Sequence, residues 1–115
     1  MPQIETLEND KIYELQTHYY KASYEQIKEV YLETVKKLGH EVVSVNDDYC
    51  EIFSEIPHFS VNAKIIMQNP KETSIDFFID SEFLFGNTKK AFKFMNQVYK
   101  DIEQKYELKG VSLHK

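Results

Sequence analysis

The stretch FSVNAKIIMQNPKETSIDFFID, Phe59 to Asp80, consists of two alternating runs joined by a turn. In the first run Phe59, Val61, Ala63, Ile65 and Met67 fall on one side, and Ser60, Asn62, Lys64 and Gln68 on the other. Asn69-Pro70-Lys71-Glu72 has turn chemistry. In the second run Ile75, Phe77 and Ile79 point one way and Ser74, Asp76 and Asp80 the other. A period of two in both runs predicts strands 59–68 and 73–80, each with one face in a core and one toward water.

Working outward from this pair, EVVSV (41–45), the turn Asn46-Asp47-Asp48 and YCEIFSEI (49–56) predict two more strands, closed by a break at Pro57-His58. Before them a helix is expected at 24–38. Ser23 and Gln26 form a capping box, Ala22 can pack on Ile27, and Ile27, Val30, Tyr31, Val35 and Leu38 recur at helical spacing. Gly39 is the expected stop. A last helix is expected from Asn87 or Thr88 to about Tyr106, with Ala91, Phe94, Met95, Val98 and Ile102 as its core stripe. KIYELQTHYY (11–20) alternates as a strand, although Ile12, Leu15, Tyr19 and Ala22 also fit a helical stripe. Residues 1–10 and 107–115 read as flexible ends, or IETLEND as the short partner strand of a hairpin and Val111 and Leu113 as an added edge strand.

The expected fold is a single α+β domain over 1–115. It is a two-layer sandwich, an antiparallel sheet of about five strands with two helices on one face, in the order β-α-β-β-β-β-α. In element order this resembles one half of a TATA-binding protein and, more distantly, the helix-grip ligand-binding folds. The likeness covers layout alone, and fold does not fix function.

Composition narrows the function. The chain has 115 residues, a net charge of -5, and 42% hydrophobic and 14% aromatic residues, which suits one globular domain. All fourteen basic residues are Lys. Without Arg there is no bidentate fork for guanine edges or phosphates, and the acidic balance opposes phosphate backbones, so nucleic acid is not an expected partner. One cysteine, Cys50, fits a reducing cytoplasm. The acidic start MPQIETLEND is no signal peptide, and no apolar run approaches the ~20 residues that span a bilayer. A cytoplasmic location and no membrane contact are expected.

Two surfaces stand out. On the sheet face opposite the helices, parity places Tyr49, Glu51, Phe53 and Glu55 on one strand, Lys64 and Ile66 on the next, and Asp76, Phe78 and Asp80 on the last. Tyr49, Phe53, Ile66 and Phe78 with a charged rim suit a protein partner or a homodimer face. At the start of the last helix, Gly86, Asn87, Thr88, Lys89 and Lys90 put a glycine, free N–H groups and lysines where a small acidic ligand or other anion could bind. The helix dipole disfavours cations there, and the P-loop spacing is absent. Phe83, Leu84 and Phe85 read as a cap on the core. An apolar cleft between helix and sheet would complete such a ligand site.

No catalytic, cofactor or metal residue is assigned. Asp76 and Asp80 share a face but lie about 13 Å apart along a strand, too far for one metal, and read as solvated charges. Cys50 shares parity with Ile52 and Ile56, which suits a buried, inert thiol. His18, His40 and His58 lie in separate elements and give no zinc spacing or nucleophile pair. The chain is therefore expected to be a non-enzymatic module, docking a protein or itself through the sheet face, with small-ligand binding as the alternative.

Overall fold

The computed structural model describes residues 3–81 and 87–113, leaving aside the side chains of residues 81, 87 and 88. Ten elements run along the described residues. They are β1 (Gln3–Glu5), a 3-10 turn (Tyr13–Leu15), β2 (His18–Tyr20), α1 (Tyr24–Lys37), β3 (Glu41–Asn46), β4 (Glu51–Ile56), β5 (Phe59–Asn69), β6 (Glu72–Ser81), α2 (Asn87–Glu103) and β7 (Leu108–Val111). The strands form one seven-stranded antiparallel sheet of order β3-β4-β5-β6-β2-β7, with β1 also on β6. The class is α+β, as the sequence predicts. The count of about five strands is corrected to seven.

The additional strands come from the two ends. β1 pairs with Phe78–Asp80 and β2 with Thr73–Ile75, so both lie along the same edge of β6, one beyond the other. Residues 7–16 leave the sheet between them. The Leu7 N–H donates to the Leu15 carbonyl (2.9 Å), closing this excursion into a strap. The expected strand over 11–20 therefore shrinks to His18–Tyr20, because its first half is spent on the 3-10 turn. Beyond α2, β7 pairs with β2. Gln3–Glu5 and Leu108–Val111 are thus both paired into the sheet.

Local signals hold where they are strongest. The Gln26 N–H donates to Ser23 Oγ (3.2 Å) and the Ser23 N–H to Gln26 Oε1 (2.9 Å), completing the capping box. At the other end the His40 N–H reaches the Val35 carbonyl and the Gly39 N–H the Lys36 carbonyl, with Gly39 at φ 84°. That pair of bonds is a Schellman motif, which needs the left-handed residue that glycine supplies without strain. α2 ends at Glu103, short of the expected Tyr106, and the Tyr106 N–H caps the Ile102 carbonyl.

Tyr31 and Val35 of α1, Phe94, Met95, Val98 and Ile102 of α2, and Ile52, Val61, Ala63, Ile65, Ile75, Phe77 and Ile79 of the sheet make one buried core. Both helices cover this inner face. At ~25 cal/mol per Å² of apolar area, its aromatic and aliphatic burial is the main favourable term. Met67 was expected inward but is 55% exposed, because β5 outruns the helices. Cys50 also departs from expectation. It sits half-buried in the β3–β4 turn at φ 59°, outside β4, with its thiol on the Asp47 carbonyl. A left-handed residue breaks the alternation that had placed it among the inward side chains.

Candidate functional site

Register sorts the outward side chains of β4, β5 and β6 into rows. Phe53, Asn62 and Phe78 form one row, and Glu51, Lys64 and Asp76 the next. Ile66 lies beyond, opposite Ser74. On the other side stand Glu55, Ser60 and Asp80, with Glu41 paired to Glu55. Phe53 and Phe78 are two strands apart, roughly 10 Å, with Asn62 between them. Phe78 is 39% exposed, Ile66 is similarly open, and Phe53 is half-buried. The expected apolar strip is thus two rings astride Asn62, separated from Ile66 by a charged row. Tyr49 stands off this face in the β3–β4 turn, 71% exposed, its N–H donating to Asn46 Oδ1.

Carboxylates frame the rings. Glu5, opposite Phe78, joins Glu41, Glu51, Glu55, Asp76 and Asp80. Lys64 is the single cation among the described outward residues of β3 to β6. Asn62 Nδ2 donates to Glu51 Oε2 (3.0 Å), fixing that carboxylate beside Lys64. A depression of about 380 Å³ opens here, lined by Glu5, Thr6, Leu7, Glu51, Asn62, Lys64, Asp76, Phe77 and Phe78.

Asp76 is not the solvated charge that strand parity suggested. It lies opposite the gap between β1 and β2, where the Thr6 hydroxyl (2.5 Å) and the Thr17 hydroxyl (2.7 Å) both donate to its Oδ1. The Phe77 N–H donates to Thr6 Oγ1 (2.8 Å), so Thr6 relays between backbone and carboxylate. Burial raises the Asp76 pKa above the usual carboxylate value, against the two hydroxyls, which pull it down. Asp80 has one carboxylate oxygen buried without a partner.

The outer face is not uniformly open. Toward β2 and β7 it is covered, with Thr17, Tyr19, Glu72 and Ser74 all buried. The Tyr19 hydroxyl donates to Glu8 of the strap, and Lys109 Nζ donates to Glu72. A side chain at Gly110, opposite Tyr19, would run into Leu113, which lies against this corner.

Of the anion candidates, Gly86 lies outside the described residues, as do Phe83, Leu84 and Phe85. Asn87 and Thr88 open α2. Lys89 is exposed, while Lys90 is half-buried with Nζ 5.2 Å from the Phe59 ring centre. Its charge also helps lower the pKa of His40, which burial depresses first. Between α2 and the sheet, where the cleft is expected, Phe77, Phe94, Met95, Val98, Tyr99 and Ile102 are each at most 5% exposed.

Sequence reading passed over a second cluster. His18 is fully buried, stacked on Tyr99 (3.6 Å between ring centres, 8° between planes) and tilted against Tyr13 (4.8 Å). Its Nδ1 lies 2.8 Å from the Gln16 carbonyl and its Nε2 is buried without a partner. Burial lowers its pKa to about 4. The only available signal was the aromatic density of HYY, which fits a plain core equally well.

Among the described residues no three His, Cys, Asp or Glu side chains converge as a metal site, and no helix is long and apolar enough to cross a membrane. The chain matches no protein-family model and no curated protein sequence.

Proposed function

We propose that this protein is a non-enzymatic docking module whose open outer sheet face, from β4 to β6, receives a cationic protein segment carrying apolar side chains. The observation that carries this reading is the pairing of exposed Phe78 and half-buried Phe53 with a frame of carboxylates in which Lys64 is the lone cation among the described outward residues of β3 to β6. Apolar rings surrounded by one sign of charge favour a partner of the opposite sign, through desolvation at the centre and steering at the rim. A second copy would bring carboxylates against carboxylates, so self-association is the weaker version of this reading. The same face in a TATA-binding-protein-like layout would oppose its acids to phosphates, which argues against DNA.

The test uses an alternating Lys/Leu peptide and its Glu/Leu counterpart, followed by amide chemical shifts. The expected result is saturable shifts on β4 to β6 with the Lys peptide alone, weakened by salt and abolished in Phe78→Asp. Shifts elsewhere, or binding indifferent to Phe78→Asp in a folded variant, would overturn it. A dimer in light scattering that Phe78→Asp dissociates would favour the self-associating version. Small-anion binding at α2 keeps one point in its favour, the absence of any acid in the first turn beside Lys89 and Lys90.

A further inference from the structure

We propose that residues 7–16 form a strap held shut by His18 only while its imidazole is neutral, so that acidification opens the strap over the β2–α2 junction. His18 is the point where three elements meet. Its ring is stacked on Tyr99 of α2 and against Tyr13 of the strap, while Tyr99 Oη donates to the Glu14 carbonyl (3.0 Å). With Nδ1–H donating to the Gln16 carbonyl, the buried and unpartnered Nε2 must be the bare nitrogen of a neutral ring. Its cross-strand neighbours, Ile75 and Val111, offer no side-chain acceptor. A proton on Nε2 would therefore create a buried cationic donor with nothing to receive it, which costs far more than the neutral ring.

The element that can yield is the strap. Leu7, Ile12 and Tyr13 are exposed, Tyr13 by 42%. It closes on itself through bonds that include Leu7 to Leu15 and Gln16 Nε2 to the Asp10 carbonyl (2.9 Å), and it is tied to the rest of the fold by bonds that include Tyr19 to Glu8 and Tyr99 to Glu14. Segments with few buried contacts open well below the global unfolding free energy. The titratable groups around His18 are Tyr13 and Glu14 on the strap, Tyr20 on β2, Tyr99, Lys100 and Glu103 on α2, and Asp76 on β6. Glu14 favours the imidazolium, but burial outweighs it.

The sign follows from linkage. Closed, His18 titrates near 4; open, it returns toward its ordinary 6.5, so the open state binds the extra proton in between. The opening constant then rises roughly 25-fold between pH 7.5 and pH 5. Asp76, at the foot of the strap, acts the other way, since its raised pKa makes acidification favour the closed form.

Amide hydrogen exchange of the intact protein at pH 7.5 and pH 5, corrected for intrinsic rates, tests this. Protection of the Leu7, Leu15 and Gln16 amides should fall roughly 25-fold while β4 and β5 amides hold. In His18→Phe, which keeps the stack without the proton, that strap-specific fall should vanish; in Asp76→Asn it should persist. Equal protection at both pH values in the wild type, or an unchanged fall in His18→Phe, would overturn the proposal. Should His18→Phe not fold, the His18 ring titration by NMR decides: an ordinary value in the folded protein overturns the proposal, a strongly lowered one supports it.

Discussion

The two faces of β6 differ by one residue of register and by most of their physics. Phe77 points inward, 2% exposed, into the rings of Tyr31, Phe94 and Tyr99. Phe78, its neighbour, is 39% exposed on the outer face among carboxylates. The inner face is closed by two helices; the outer one is closed at the β2–β7 corner by strap and tail and left open from β4 to β6. A strand presents its side chains alternately to the two faces, so an exposed ring so close to a buried one shows where the fold stops supplying partners.

The comparison breaks most easily from the inside. Phe77→Ala should destabilise by about 3–5 kcal/mol in urea titration, since it removes a ring at the meeting point of both helices and the sheet. A loss below about 1 kcal/mol would mean that the inner face is not the cooperative core.

An intermediate effect belongs to the covered part of the outer face. Thr17→Val removes one of two hydroxyls from a half-buried carboxylate and should cost about 1–3 kcal/mol at neutral pH. Asp76→Asn keeps an acceptor for both threonines and deletes the charge that burial disfavours. Because the folded-state pKa of Asp76 is raised, its stabilising contribution is present below the usual carboxylate pKa and lost as pH rises through the folded value. The variant should therefore gain on the wild type as pH rises through that range and stay ahead at neutral pH. A variant less stable at pH 7 than the wild type would show that the ionised Asp76 is the favoured form.

Legibility follows the same division. Helix α1 was readable because its determinants are local, Ser23, Gln26 and Gly39 lying within the segment they bound. Strands β5 and β6 were readable because ten or more residues repeat one pattern. The strap was not, because Tyr99 holds it at Glu14 and Thr17, just beyond it, is held by Asp76, across 85 and 59 residues of sequence. Three-residue strands such as β1 and β2 are too short to show a period. Parity placed Phe53, Asp76 and Phe78 on one face but could not tell which would be covered, because the cover comes from other parts of the chain.

The smallest stability effect is the most informative for function. Phe78→Ala should cost about 1 kcal/mol, well below Phe77→Ala, because a ring 39% exposed gains much less from the fold than a fully buried one. The same change should remove most of the binding of a cationic, apolar peptide, since a ring at the centre of a docking face does its desolvation there. Stability and binding must separate at Phe78 and coincide at Phe77. If Phe78→Ala were as costly to folding as Phe77→Ala, the outer ring would be a structural residue of this domain, and the docking face would lose its central contact.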